Sequence, residues 1–219
     1  MTALFHADLG RALLAVAEPA RAEPMSAYMR NQFPFLGVPT PARRAAGKSL
    51  LRALGELNAE ALLAMADELW ELPEREYQYV ALDMLAMHWK KFNVEHIPEL
   101  MRLARRKSWW DTVDAMAGII GDVLRHKHDF MDEAINHEDF WIRRIALLHQ
   151  LGWRDKTDKA LLLGYCLQLA HEQEFFIQKA IGWALRDYAR HDPAGVRAFI
   201  NTNKSLLAPL SYREANKHL

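Results

Sequence analysis

Apolar and polar residues follow each other along the chain with the period of an α-helix. Apolar positions recur three and four residues apart, the spacing that places side chains on one helix face. Few stretches alternate with a period of two, so strands are not expected. Glycine and proline are sparse and fall between the periodic segments. The pattern predicts helices over residues 3–17, 24–31, 40–54, 58–70, 74–90, 94–106, 109–125, 127–135, 139–151, 156–171, 174–190, 193–202 and 208–217.

Several predicted helices have recognisable start signals. Thr40 is followed by a proline, which suits a capping residue before the first helical position. Asn58 and Asp192 open helices in a similar way. Ser108 and Asp111 resemble a capping box with Asp in place of Glu.

The spacing of the helices indicates a repeat architecture. Short loops between helices of this length imply antiparallel helix pairs. Trp110, Arg144 and Trp183 each stand on a predicted helix, 34 and 39 residues apart, which is close to the HEAT period. We therefore predict an all-α fold, an α-solenoid of HEAT-like antiparallel helix pairs that forms a curved stack with a concave face. No linker or low-complexity stretch interrupts the sequence, so residues 1–219 are expected to form a single domain.

Composition limits the possible functions without choosing among them. The 219 residues are 51% hydrophobic, which is enough to bury a substantial core. The 28 basic and 28 acidic residues give no net charge, whereas a nucleic-acid-binding protein is often strongly basic. Acidic residues are in slight excess up to residue 100 and basic residues beyond it. Any basic face is therefore local and lies toward the C-terminal half.

Cysteine use and the absence of long apolar runs indicate an intracellular setting. The lone cysteine, Cys166, lies in an apolar run and is expected to be a buried helix residue. No run approaches the ~20 apolar residues that span a bilayer, and Asp8 and Arg11 interrupt the N-terminal apolar segment. We expect a monomer that resides in the cytoplasm and does not bind membranes.

The first candidate for chemistry is the start of the predicted helix at 109–125. Trp110 and Asp114 are four residues apart and therefore neighbours, on a face beside the apolar stripe. One interpretation is a binding or catalytic site, because an aromatic side chain and an acid would share an outward face. The alternative is that Trp110 packs against an adjacent helix and Asp114 is simply solvated.

Two later helices carry further candidates. Trp141, Ile145 and Leu148 form an inward stripe, and Arg143 and Arg144 are predicted to point away from it. Adjacent arginines are commonly just solvated, but their guanidinium groups also match pairs of phosphate oxygens.

Phe176, Lys179 and Trp183 lie at helical spacing beside the core stripe of the helix at 174–190. Such aromatics are commonly core residues, and a binding face is the alternative. Gly182 would allow close approach of a neighbouring helix or a ligand.

One more segment, near the N-terminus, predicts a turn, and several common functional motifs are absent from the sequence. Residues 28–41 contain three prolines, three aromatic residues and Gly37, which predicts an ordered turn docked on the body of the protein. Tyr28 precedes it as a packing residue or a longer-range contact. The sequence has no glycine-rich phosphate loop and no zinc motif, and His126 and His128 lack suitably spaced ligand partners. We therefore predict neither a metal nor a cofactor.

Five segments together resemble the AlkD family of alkylpurine DNA glycosylases: residues 28–41, 72–79, 109–114, 141–148 and 174–186. Each is short, but they span most of the chain in a specific order. The resemblance implies a HEAT-like helical protein whose concave face binds duplex DNA. It implies excision of positively charged N3- and N7-alkylated purines, such as 3-methyladenine and 7-methylguanine, by hydrolysis of the N-glycosidic bond in base excision repair. It also implies that the base is not extruded into a deep pocket, the usual strategy of glycosylases.

The resemblance assigns roles to individual residues by motif position. Asp114 is the catalytic carboxylate, and Trp110 and Trp183 pack on the lesion's deoxyribose. Tyr28 contacts the backbone near the lesion and Arg144 contacts a neighbouring phosphate. The remaining expected DNA contacts are Arg143, Phe176, Lys179 and Arg186.

Two other functions are compatible with the sequence. One is a non-catalytic HEAT-like protein that binds DNA structure, which loss of the Trp/Asp pair would favour; the pair is intact here. The other is a solenoid that binds a protein partner on its concave face. DNA binding should weaken steeply with salt, whereas such protein binding should change little.

Overall fold

The protein is helical throughout the part of the chain that the structure describes. A computed structural model describes residues 2–125 and 127–219, so His126, one of the histidines considered above, lies outside them. Within those ranges there are thirteen α-helices, six short 3₁₀ turns and no β-strand. The all-α prediction is confirmed. None of the described helices is both long enough and apolar enough to cross a membrane.

The chain divides into two compact units, with the division after Phe92. Unit 1 contains α1 (Thr2–Leu14), α2 (Ala22–Tyr28), α3 (Thr40–Ala53), α4 (Ala59–Glu71) and α5 (Arg75–Met87). Helices α4 and α5 pack together across a three-residue connection, so they run antiparallel as predicted. Helix α3 packs against α1 and α5. The expectation that residues 1–219 form a single domain stays a prediction.

The turn between α2 and α3 is docked onto unit 1 by one buried carboxylate. Glu76, on α5, has no exposed surface and accepts hydrogen bonds from three successive backbone N–H groups. The donors are Leu36 N at 3.0 Å, Gly37 N at 2.9 Å and Val38 N at 2.9 Å. Gly37 has φ +87°, and a Cβ there would overlap the Glu18 carbonyl, so glycine is required. The predicted ordered turn is confirmed.

Unit 2 comprises the described helices that follow Phe92. It contains α6 (Ile97–Ala104), α7 (Trp110–Leu124), α8 (Met131–Ala134), α9 (Phe140–Leu148), α10 (Lys159–Gln168), α11 (Phe175–Tyr188), α12 (Pro193–Thr202) and α13 (Pro209–Ala215). Helix α9 packs against both α7 and α11, and α11 packs in turn against α13. The inward stripe predicted for α9, formed by Trp141, Ile145 and Leu148, is buried.

Two of the predicted helix caps are present. Asn58 Oδ1 accepts a hydrogen bond from Ala61 N at 3.0 Å, and Asp192 Oδ1 accepts one from Gly195 N at 2.8 Å. Each satisfies a backbone donor that the first helical turn leaves without a partner.

The other two predicted caps are wrong. Thr40 is already the first residue of α3, and Pro39 stands at the N-cap position without a side-chain hydrogen bond. The N-cap of α7 is Trp109 rather than Ser108. Ser108 instead donates to the Ala104 carbonyl at 2.8 Å, so its hydroxyl serves the end of α6. In both cases the sequence located the start of the helix correctly, but the predicted side chain does not cap it.

Cys166 lies on α10 and is fully buried. Burial raises the pKa of its thiol to about 12, because the thiolate would lose its hydration. The prediction of a buried helix residue is confirmed.

Candidate active site

The first turns of α7 present Trp110 and Asp114 on one face. The two residues are four apart on the helix and both are partly exposed. The adjoining face is fixed by buried Val113, Met116 and Ala117, which pack into the core of unit 2. The helix is therefore anchored on its apolar side, and the aromatic ring and the acid are held at its outer edge.

Asp114 is paired with Arg144 from α9. Arg144 Nε donates to Asp114 Oδ1 at 2.7 Å and Arg144 Nη2 donates to Asp114 Oδ2 at 2.9 Å. The side chain of Asp114 is 14% exposed and that of Arg144 only 5%. Two parallel bonds to a planar guanidinium fix the carboxylate in orientation as well as in position.

Arg144 also reaches the third helix of this region. Its Nη1 donates to the carbonyl of Phe176, at the start of α11. One guanidinium thus connects α7, α9 and α11. The prediction that Arg144 points away from the inward stripe is wrong, because Asp114 supplies a counter-ion that makes its burial possible.

Burial dominates the electrostatics of Asp114. It raises the pKa of the carboxyl group above its ordinary value, while the hydrogen bonds and charge of Arg144 act in the opposite direction and nearby Asp111 adds to the rise. The carboxylate is therefore poorly hydrated, which makes its negative charge effective at short range.

An aromatic cluster covers the inner side of this pair. Phe176 lies 5.2 Å from Trp109, 4.8 Å from Trp141 and 6.4 Å from Phe140, measured between ring centroids. The cluster fixes the start of α11. Trp183 is two turns further along this helix on the same face, about 10 Å up the axis, and it is partly exposed. The expectation that Trp110, Asp114 and Trp183 share one cleft stays a prediction.

Arg143 is fully engaged by protein groups. Its Nε and Nη2 donate to the two carboxylate oxygens of Glu172 at 2.7 and 2.8 Å. Its Nη1 donates to the carbonyls of His137 and Glu138 at 2.7 and 2.8 Å. A DNA phosphate would have to compete with these partners, so this geometry favours a structural tie before α11.

Lys179 and Arg186, the two other predicted cationic contacts, both contact Glu214 on α13. Lys179 Nζ lies 3.0 Å from Glu214 Oε1, and Arg186 Nη1 lies 2.9 Å from Glu214 Oε2. Gly182 lies between them, and a Cβ there would overlap the Glu214 Cβ. The predicted close approach at Gly182 is confirmed, and the neighbour is α13.

Tyr28, the last residue of α2, belongs to unit 1 and is 72% exposed. Its predicted contact with a DNA backbone stays a prediction. Among the described residues, no cluster of three or more His, Cys, Asp or Glu side chains is arranged to hold a metal ion.

Sequence reasoning missed two carboxylates that organise this surface, Glu172 and Glu214. The spacing of Glu214 and Lys217, three residues apart near the C-terminus, was a usable signal for an ion pair. Nothing in the sequence around Glu172 links it to Arg143, because Arg143 lies on α9 and Glu172 lies 29 residues later, in the connection before α11.

The helices of the described residues, with α4 and α5 packed as an antiparallel pair, define an all-helical protein of the helical-repeat class. A family profile described as DNA alkylation repair enzyme matches residues 9–219. The chain belongs to this family.

Two solved structures are similar to it. A predicted DNA alkylation repair enzyme from Enterococcus faecalis is 36% identical, with a TM-score of 0.85, over 93% of this chain and 96% of that chain. AlkD2 from Streptococcus mutans is 16% identical, with a TM-score of 0.62, over 77% of this chain and 86% of that chain, and shows the fold alone. No curated protein matches the chain.

Proposed function

We propose that this protein is a DNA glycosylase that excises positively charged N3- and N7-alkylated purines from duplex DNA. The observation that carries the proposal is the Asp114 carboxylate, held by two hydrogen bonds from Arg144 beside the partly exposed Trp110. Membership of the DNA alkylation repair enzyme family supports it independently. We further propose that the protein acts as a monomer in the cytoplasm, without metal or cofactor.

The chemistry requires little acid catalysis. An N-alkylated purine already carries a positive charge, so it leaves with the electron pair of the N-glycosidic bond and becomes neutral. Positive charge develops on the deoxyribose, as in glycoside hydrolysis. A water molecule then adds to the anomeric carbon and gives up one proton, which passes to Asp114 and on to solvent. The products are a free neutral base and an abasic site.

The protein supplies negative charge and electron-rich surfaces that are fixed before the reaction begins. Asp114 faces the developing cation and orients the water, and the ring faces of Trp110 and Trp183 add attraction for positive charge while excluding bulk solvent. Arg144 acts through Asp114: its two bonds to the carboxylate fix the orientation. This role replaces the phosphate contact that the resemblance implied, because the guanidinium is buried and already bonded.

The decisive experiment is single-turnover release of 7-methylguanine from a defined duplex. We expect Asp114→Asn to lower the rate at least about tenfold while DNA binding is retained. Asp122→Asn is the matched control, because Asp122 is exposed two turns further along the same helix. Circular dichroism and thermal unfolding check that each variant is folded.

The outcomes separate catalysis from binding. Wild-type release no faster than spontaneous depurination, despite tight binding, would support the non-catalytic DNA-binding protein instead. Equal rates for Asp114→Asn and Asp122→Asn would remove Asp114 from the mechanism. Release of uncharged 1,N6-ethenoadenine as fast as 7-methylguanine would contradict the dependence on a charged leaving group.

A further inference from the structure

Glu214 holds three cations from two helical segments. Its carboxylate oxygens lie 3.0 Å from Lys179 Nζ, 2.9 Å from Arg186 Nη1 and 2.8 Å from Lys217 Nζ. Lys217 comes from the 3₁₀ turn that follows α13, whereas Lys179 and Arg186 come from α11. Three positive groups around one negative group leave an excess of two positive charges. We call these four residues the Glu214 cluster.

The excess charge faces solvent. Glu214 is only 7% exposed, but the side chains of Lys179 and Lys217 are 38% and 46% exposed and that of Arg186 is 22% exposed. The ammonium groups of the two lysines hold the pKa of Glu214 at about 2, so it stays ionised at any ordinary pH. An incoming ligand therefore meets cations above a buried anion, which is a surface that attracts an anion.

The cations also retain hydrogen-bonding capacity. A guanidinium carries five N–H donors and an ammonium carries three. Arg186 uses Nη1 on Glu214, and Lys179 uses one contact. A phosphate oxygen can join such a set without displacing the carboxylate, because the remaining donors are not used by Glu214.

The Glu214 cluster lies beside Trp183. Lys179 is four residues before Trp183 and Arg186 three residues after it, so all three share one face of α11. Gly182, the neighbour of Trp183 in sequence, packs directly against the Glu214 Cβ. Ser211 Oγ donates to the Gln178 carbonyl at 2.8 Å and fixes α13 in this place.

We infer that Glu214 is a positioning residue that holds Lys179, Arg186 and Lys217 together as a binding site for one DNA phosphate next to Trp183. The choice of DNA as the source of the phosphate rests on the proposed function. From the sequence, Lys179 and Arg186 are expected DNA contacts, whereas Lys217 and Glu214 have no assigned role. A network that only ties α13 to α11 would leave DNA binding unchanged when one exposed member is removed.

The first test compares two exposed cations on neighbouring positions. Affinity for a duplex carrying a tetrahydrofuran abasic analogue is measured as a function of salt for Lys217→Ala and Arg213→Ala. Arg213 is exposed on α13 and is not a partner of Glu214. We expect Lys217→Ala to weaken binding and to reduce the salt slope by about 0.9, the value for one phosphate contact. Arg213→Ala should match wild type. Equal behaviour of the two variants overturns the inference.

The second test separates positioning from simple charge. Glu214→Gln removes a negative charge from the surface, so a purely electrostatic patch would bind DNA more tightly. If Glu214 positions the cations, the same variant binds more weakly and with a shallower salt slope, because they repel one another and spread apart. Tighter DNA binding by Glu214→Gln would contradict a positioning role for Glu214. Should this variant fail to fold, the comparison of Lys217→Ala with Arg213→Ala decides alone.

A scan with single methylphosphonates then locates the phosphate. Replacing one phosphate at a time with a neutral group should abolish the difference between wild type and Lys217→Ala at one position only. A difference that persists at every position contradicts a phosphate site.

Base release is measured separately. Binding effects without base release disprove the proposed function alone, and base release with unchanged binding in Lys217→Ala disproves only the phosphate site.

Discussion

Each unit of this protein contains a carboxylate taken largely out of water, and the two are held in different ways. Glu76 in unit 1 is fully buried and accepts three hydrogen bonds from the backbone of the turn before α3. Asp114 in unit 2 is 14% exposed and accepts its hydrogen bonds from the side chain of Arg144. The first arrangement closes a turn, and the second leaves the acid at a surface.

The difference shows which buried acids can take part in chemistry. Backbone N–H groups belong to the fold, so the three donors around Glu76 leave no room for a ligand and cannot move without unfolding the turn. A side-chain partner fixes orientation while one edge of the carboxylate stays accessible. Burial alone therefore does not identify a functional acid; the type of partner and the remaining exposure distinguish the two.

The largest expected effect is on the unit 1 side of this comparison. Glu76→Ala leaves three buried backbone donors without partners, at about 1–3 kcal/mol each, so we expect the free energy of unfolding to fall by about 5 kcal/mol. Urea denaturation measures the change. Glu74→Ala, two residues earlier at the start of α5, should stay within about 0.5 kcal/mol of wild type. A small effect of Glu76→Ala would mean that the turn is held by other contacts.

A smaller loss is expected from breaking the unit 2 pair. Arg144→Met leaves the Asp114 carboxylate poorly hydrated and unpaired, which should cost about 3 kcal/mol in unfolding free energy. Adding Asp114→Leu should restore much of that stability, because an apolar pair then fills the site, while base release stays lost. Arg190→Met, at an exposed position just beyond α11, serves as the control. If the double variant is no more stable than Arg144→Met, the cost lies in the bond to the Phe176 carbonyl instead.

The smallest effect concerns pH and should separate the two units. His149 in unit 2 is buried, and burial lowers its pKa from 6.5 to about 4. The unfolded chain binds this proton at a higher pH than the folded protein does, so the contribution of His149 to stability is complete above pH 6.5 and falls as pH decreases toward 4, by about 2 kcal/mol at pH 5. Its Nε2 lies 3.1 Å from Nδ1 of His128, so a second proton nearby would oppose the first.

Hydrogen exchange at pH 7 and pH 5 measures this for each unit. Amides of unit 2 should lose more protection than those of unit 1 at the lower pH. His149→Gln should flatten the pH dependence of stability in this window, whereas the exposed His171→Gln should not. Equal loss of protection in both units would show that other titrating groups dominate.

Local features of the fold were predictable from the sequence because they depend on neighbours in the chain. Helical periodicity located every α-helix of the described residues, and Asn58 and Asp192 cap their helices as predicted. The two failures have one cause. Thr40 and Ser108 have suitable side chains at helix starts, but capping depends on backbone angles that a residue type does not determine.

The site was predictable only in part, because it depends on partners distant in sequence. The helical stripe of α9 predicts that Arg144 lies off the core face. Its burial depends on a counter-ion, and that counter-ion is Asp114, thirty residues away on another helix. The roles of Glu172 and Glu214 are hidden for the same reason. The periodicity of one helix predicts which of its own residues share a face. It does not predict which charged residues of a neighbouring helix lie against that face.

Reagents that alkylate purines also attack sulfur, and thiolates react with them far faster than thiols do. The chain contains a single cysteine, and at Cys166 the sulfur is enclosed by α10 and its neighbours with its pKa raised to about 12. Hardly any of it is ionised at neutral pH, and no reagent reaches it while the fold is intact. In a DNA alkylation repair enzyme, the burial of Cys166 therefore shields the chain's single thiol from the class of reagent that causes the damage.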